Sequence, residues 1–304
     1  MIVSDASAFL AQIASGNYPV RTAGTARGAF LVSPASDGLA AQSAIDNRYM
    51  DLSRVPDASR ARRQHADLAR RLGADVPVVT FAGDPECPDG VFPNNVFATT
   101  RGQLIIGRMR HAVRRREAAR SDIRGFFRDV LHYRETDLSG EAFVAELTGS
   151  VCIDRARGIG YCGLSERCDM AGARAMFDAF GLRLMFVFDL APGEYHTNVV
   201  LAILAGRAAI LAPDGFADAA VPAAIAQAYS KRTVALSVAQ KRAFAGNAIA
   251  LAPGRTWMSA AGAAALEPAQ LALLERAGLT VDDIALDEIE KSGGSLRCCV
   301  AELF

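Results

Sequence analysis

The sequence has little that would announce a large or charged partner. Its 33 Lys and Arg balance 33 Asp and Glu, so the formal net charge is zero. Nothing global then draws the chain to nucleic acid or to an anionic membrane. Apolar runs are short: the longest candidate, residues 198–211, is interrupted by Gly206 and Arg207 and falls short of a bilayer span. The opening residues Met1-Ile2-Val3-Ser4-Asp5 lack a basic segment followed by an apolar one, so no secretory signal is read. The six cysteines (87, 152, 162, 168, 298 and 299) include no CxxC pair, which argues against structural zinc and against a disulfide scaffold. No GxGxxG follows a strand and no phosphate-cradling GKS/T occurs, which weakens any nucleotide-binding reading. A cytoplasmic enzyme of a small, locally recognised substrate fits these absences.

What is present is alternation. Hydrophobic residues make up 51% of the chain, enough for a packed core. Short β-rich runs are read at 28–33, 76–82, 91–99, 103–107, 150–154, 158–162, 182–188, 198–204, 208–211, 233–236, 248–251 and 296–303. Helical periods are read at 57–72, 113–130, 165–180, 221–229 and 268–277. Residues 57–72 place Ala66, Leu68, Ala69 and Leu72 on one side. The Arg- and Glu-rich face of 113–130 is expected to be solvated, and Ser165 to cap its helix. No low-complexity linker divides the chain, so residues 1–304 are read as one α/β domain. A weak strand–helix–strand repetition suggests a cyclic arrangement, which periodicity alone does not separate from an open sheet.

Three polar clusters stand against this background. Pro88-Asp89-Gly90-Val91-Phe92-Pro93-Asn94-Asn95 puts Asp89, Asn94 and Asn95 where a turn enters an apolar run, so their oxygens could accept hydrogen bonds from substrate nitrogens. Ordinary turn chemistry explains the same residues. His196, in Tyr195-His196-Thr197-Asn198, is one of only four histidines and has the pKa range of a general acid and base. A lone histidine is more often structural. Ser292-Gly293-Gly294-Ser295-Leu296-Arg297-Cys298-Cys299 delivers a thiol after a glycine turn. On a strand the two cysteines would face opposite ways, one to a pocket and one to the core; both could equally be small buried hydrophobes.

Taken together and in order, segments 88–95, 114–117, 146–154, 164–169, 195–198, 244–247 and 292–304 resemble the guanidino-group-modifying enzymes of the pentein superfamily, nearest its bacterial amidinotransferase-like, citrulline-utilisation branch. The resemblance implies a five-bladed α/β propeller of pseudo-repeated ββαβ units. It implies Cys298 as nucleophile, His196 as acid and base with Glu146 beside it, Asp89, Asn94 and Asn95 on the guanidino or ureido nitrogens, and Arg114 and Arg167 on an amino-acid carboxylate. No metal or organic cofactor is implied, and the partner is a small guanidino or ureido amino acid, in a chain that could assemble with copies of itself. Two departures matter. Asn94 and Asn95 stand where deiminases and dimethylaminohydrolases carry acids, which suits a neutral ureido group as in citrulline hydrolysis or arginine dihydrolysis. Leu147 stands where relatives have glycine, which bears on the placement of Glu146. An amidinotransferase shares the thiol intermediate, and a non-enzymatic ribosome anti-association factor shares the architecture. The trio Asp89, His196 and Cys298 argues for an enzyme.

Overall fold

In a computed structural model, described for residues 1–22, 24–35 and 39–304, the strands form five small mixed sheets. The strands of the first half are β1 (Ile2–Val3), β2 (Gly28–Val32), β3 (Val78–Phe81), β4 (Phe97–Thr100), β5 (Gln103–Ile106), β6 (Arg134–Asp137), β7 (Val151–Asp154), β8 (Ile159–Leu164) and β9 (Leu184–Asp189). Those of the second half are β10 (Leu201–Leu204), β11 (Ala208–Leu211), β12 (Thr233–Ala235), β13 (Ile249–Ala252), β14 (Arg255–Ser259), β15 (Thr280–Ile284) and β16 (Ala301–Leu303).

One plan recurs. An antiparallel pair is followed by a helical connection and a third strand parallel to the second. This holds for β4, β5 and β6, for β7, β8 and β9, for β10, β11 and β12, and for β13, β14 and β15. A parallel pair cannot be joined by a tight turn, so each unit needs its crossover. The remaining sheet takes β16 from the chain end, antiparallel to β2, with β3 parallel to β2. β1 adds a parallel fourth strand to the β9 edge.

The crossovers follow local sequence. The helix Ala58–Leu72 is capped by the Asp57 side chain, which accepts from the Arg60 amide, and buries Ala61, His65, Leu68 and Leu72 at helical spacing. Ala66, expected on that face, is exposed. The helix Met170–Ala179 starts later than expected and is capped by Asp169, not Ser165. Ser165 Oγ instead donates to the Tyr195 carbonyl at 2.7 Å. Residues 113–130 are not one helix but the short pieces Ala112–Arg115, Arg116–Ala119, Ser121–Gly125 and Phe126–Val130. Their charged face is not all solvated, because Arg114 and Glu117 are buried.

Three apolar runs read as strands begin instead with a helical turn. Pro93–Asn95 precedes β4, Thr197–Val200 precedes β10, and Leu296–Cys299 precedes β16. The strands β6, β14 and β15 and the helix Ala6–Ala14 were not legible. β6 is largely exposed and β15 carries Asp282 and Asp283 at its centre, so no apolar run marks them.

Candidate active site

The turns that lead into the first strand of the units hold five of the eight residues singled out from sequence. Asn94 and Asn95 lie on the turn before β4, and Glu146 is the N-cap of the turn before β7. His196 is the N-cap before β10, Asn247 sits two residues before β13, and Cys298 lies on the turn before β16. Because the units repeat, residues up to about 200 positions apart in sequence arrive at equivalent places. Leu147 has φ +20° and is fully buried, which accounts for glycine being the easier residue there. Gly149 is needed for close approach: a Cβ on it would sit 2.5 Å from Asn95 Oδ1 and 2.8 Å from His196 Cε1.

The Cys298 thiol is 2% exposed. The Asn247 side-chain amide donates to its sulfur at 3.3 Å, and the thiol faces Asn198 Oδ1 at 3.8 Å. Asn247 is itself pinned, donating to the Asn198 carbonyl at 2.8 Å and accepting from the Arg297 amide at 2.9 Å. Burial pushes the Cys298 pKa up, against the Ser295 backbone, Asn247, Arg297 and Asn198, which pull it down. Cys299 is fully buried and does not line the cavity that Cys298 lines. The two sulfurs part because they sit on a helical turn, not on opposite faces of a strand.

His196 Nε2 lies 2.8 Å from Glu146 Oε2. Burial favours the charged form of neither group, yet Arg167, His196 and Arg114 together hold the Glu146 carboxyl well below the usual range. For His196 burial wins over Glu146 and the ring pKa is lowered. A carboxylate accepting from neutral imidazole therefore fixes Nε2 as the protonated nitrogen. Nδ1 is buried and has no hydrogen-bond partner among the described residues. Glu146 also accepts from the Arg110 amide at 3.1 Å and from Arg167 Nη1 at 3.2 Å.

Arg167 and Arg114 are both buried and both committed. Arg167 Nε donates to Asp46 at 2.9 Å and Nη2 to the Ser43 carbonyl at 3.0 Å. Arg114 forms a two-pronged pair with Glu117 at 2.8 and 2.7 Å and reaches the carbonyls of Asp89 and Phe92 at 3.2 and 3.0 Å. Its Nε is 4.0 Å from Asp89 Oδ2, which also accepts from Ser43 Oγ. Burial raises the Asp89 pKa despite Arg114 and Ser43. Asn94 Nδ2 donates to Thr148 Oγ1 at 3.3 Å, while Asn94 Oδ1 and Asn95 Oδ1 have no partner among the described residues.

A narrow cavity brings six of the eight sequence candidates together: Asp89, Asn95, Arg114, Arg167, His196 and Cys298. Glu146 stands behind His196, and Asn94 does not line the cavity. Residues 40–50 cross it as a strap through Ser43, Asn47 and Met50, with Asn47 Nδ2 donating to the Gly293 carbonyl at 3.2 Å and Met50 bridging to Ser292. The loop expected over 34–47 includes residues 36–38, Asp37 among them, which lie outside those described. Sequence reasoning assigned no role to Asn247, Asn198, Ser43 or Asp46. The signals for Asn247 were its place in segment 244–247, one of those that carry the resemblance, and its glycine-preceded position before an apolar run. Among the described residues no three His, Cys, Asp or Glu side chains are placed to hold a metal, and no helix is long and apolar enough to cross a membrane.

Residues 33–304 match the model of a family described as N,N-dimethylarginine dimethylhydrolase, eukaryotic. No curated protein matches the chain significantly. Among solved structures, the N-terminal domain of ArgZ bound to substrate, an arginine dihydrolase of the ornithine–ammonia cycle in cyanobacteria, aligns with TM-score 0.78 at 18% identity, over 90% of this chain and 97% of that one. Against full-length ArgZ the match spans 40% of the longer protein. A dimethylarginine dimethylaminohydrolase adduct with S-methyl-L-thiocitrulline aligns with TM-score 0.71 at 21% identity, over 91% of this chain and all of that one. At these identities the likeness is one of fold: an α/β chain of several small mixed sheets.

Proposed function

The chain belongs to the N,N-dimethylarginine dimethylhydrolase family of the pentein superfamily, and from that membership we propose that it is a cysteine-dependent hydrolase of a C–N bond in a guanidino or ureido amino acid. The observation that carries this reading is one narrow cavity lined by the Cys298 thiol, by His196 held on Glu146, and by Asp89 and Asn95. The five sheets are read as the blades of one closed propeller, supported by β16 pairing with β2, so that residues 1–304 act as a single domain.

The residue types supply a complete cycle. The Cys298 proton passes to His196 as the sulfur attacks the trigonal carbon and the S–C bond forms. The C–N bond then breaks, and the departing amine takes the proton from His196. Water attacks the adduct, giving a proton to the same imidazole, and the S–C bond breaks to return the thiol. Glu146 keeps the ring oriented and stabilises the imidazolium that forms in both halves.

The polar lining bears on substrate charge. Asp89 is the one acidic residue in the described lining of the cavity, and its raised pKa lets it serve either as an anion under a guanidinium or as a donor to a ureido oxygen. Asn95 Oδ1, buried and without a partner among the described residues, suits a substrate N–H of either group. A ureido substrate or intermediate is therefore included in the proposal. The test is a screen of arginine, methylated arginines and citrulline for released ammonia or methylamine, with and without an acceptor amine. Turnover of arginine or methylarginine supports the hydrolase. Ammonia from arginine that stops at citrulline, with added citrulline left intact, removes the ureido part of the proposal.

A further inference from the structure

The first strands of the units have a second end, about 13 Å from the reactive turns at the rise of a four-residue strand. There a cavity of about 500 Å³ opens between the ends of β4, β7 and β16. Its described lining includes three arginines, Arg27, Arg101 and Arg155, and no acidic residue. In a chain whose charges cancel, a lining whose charged side chains are all cationic is a local departure.

Arg155 is the informative member. Its guanidinium carbon lies 4.1 Å from the Phe304 ring centroid and 5.2 Å from that of Phe180. Aromatic rings stabilise the cation, but they occupy its faces and leave its N–H edge unused. No carboxylate among the described residues lies within ion-pair distance of it. The nearby Glu302 is taken by Arg297 at 2.9 Å. Burial accordingly lowers the Arg155 pKa to about 10. Phe180, Leu182 and Ile153 add an apolar wall, while Arg27 and Arg101 are exposed at the cavity.

We propose that this cavity binds a small organic oxyanion, a carboxylate or phosphate on an apolar body, with Arg155 gripping the head through its free edge. Two N–H groups side by side match two oxygens of either head. The arginines at the exposed edge draw the anion in, and the apolar wall takes its body. This site does not depend on the reading of Cys298.

Isothermal titration of the full chain with phenylacetate, phenyl phosphate and inorganic phosphate tests it. Saturable binding of phenylacetate or phenyl phosphate, tighter than inorganic phosphate and weakened about 10-fold or more in Arg155→Gln, is expected. Which of the two binds better tells the carboxylate source from the phosphate source. The exposed double change Arg27→Ala with Arg101→Ala is expected to weaken binding and to flatten its salt dependence. It decides the matter should Arg155→Gln not fold. No saturable binding of any probe up to about 10 mM, or equal affinity in these variants, overturns the proposal.

Discussion

Two buried polar clusters in this molecule are built to opposite ends. The first ties the β7–β8 unit to the helix Ala220–Ala228: Asp154, fully buried, accepts from Tyr229 Oη at 2.7 Å, from Arg157 Nε at 2.7 Å and from the Arg157 amide at 3.1 Å. Arg157 also covers the Tyr229 ring at 4.7 Å. That cluster closes almost wholly on itself, with only Arg157 Nη2 left over. The second is the candidate site, where Asn94 Oδ1, Asn95 Oδ1 and His196 Nδ1 have no partner among the described residues. Unpaired buried polar atoms cost stability, on the order of 1–3 kcal/mol each. The first cluster almost wholly satisfies itself, whereas the second leaves Asn95 Oδ1 and His196 Nδ1 open at residues that line the cavity, as the proposed substrate site requires.

Breaking each cluster should therefore move different observables. The largest effect is expected from Cys298→Ser, a loss of at least ~1000-fold in turnover with unchanged circular dichroism. Cys299→Ser is expected to remain active, and the reverse pattern would identify the other thiol as nucleophile. Next comes Asp154→Asn, which leaves Arg157 without its buried anion. Chemical denaturation should register about 3 kcal/mol of lost stability, while kcat of the folded fraction stays near wild type.

Asp89→Asn is expected to work the other way, stabilising the fold by about 1 kcal/mol while cutting activity on cationic substrates. The sign follows from its raised pKa. The protonated side chain is the better tolerated one, so its contribution is full below the ordinary carboxylate pKa and is lost as pH rises through the folded one. The stability gap between variant and wild type should thus widen with pH and vanish in acid, as melting curves across pH can measure. The smallest expected effect is that of Asn247→Ala on Cys298 itself. With its pKa raised by burial, the thiol should be alkylated faster as pH rises past the usual thiol range. Losing the Asn247 hydrogen bond should slow that alkylation by about 3- to 10-fold at fixed pH. An unchanged rate would make Asn247 a purely structural contact.

The same contrast explains what could be read in advance. Asp89, His196 and Cys298 stood out as candidates because each lies near a turn that borders an apolar run, and only the resemblance gave them roles. The charged face of residues 113–130 was read as solvated, because an i,i+3 ion pair such as Arg114–Glu117 looks the same on a surface as inside; the carbonyls of Asp89 and Phe92, 25 and 22 positions away, help draw Arg114 inward. Ser165 and Asp169 are equally good caps on paper. The choice fell to Asp169 because Ser165 is engaged with Tyr195, thirty residues on. β6 and β15 escaped notice because charged residues break any apolar pattern along them.

By itself the chain determined the alternation of short strands and crossover helices, since those follow from apolar period and turn chemistry within a few residues. It determined as well which side chains could do chemistry. The tertiary structure decided their partners. Asp46 meets Arg167 across 121 positions, Glu146 meets His196 across 50, and Asn247 meets Cys298 across 51. It also turned the apolar starts of three supposed strands into helical turns. A run of apolar residues records that a segment is buried, and only the packing around it settles which backbone shape the burial takes.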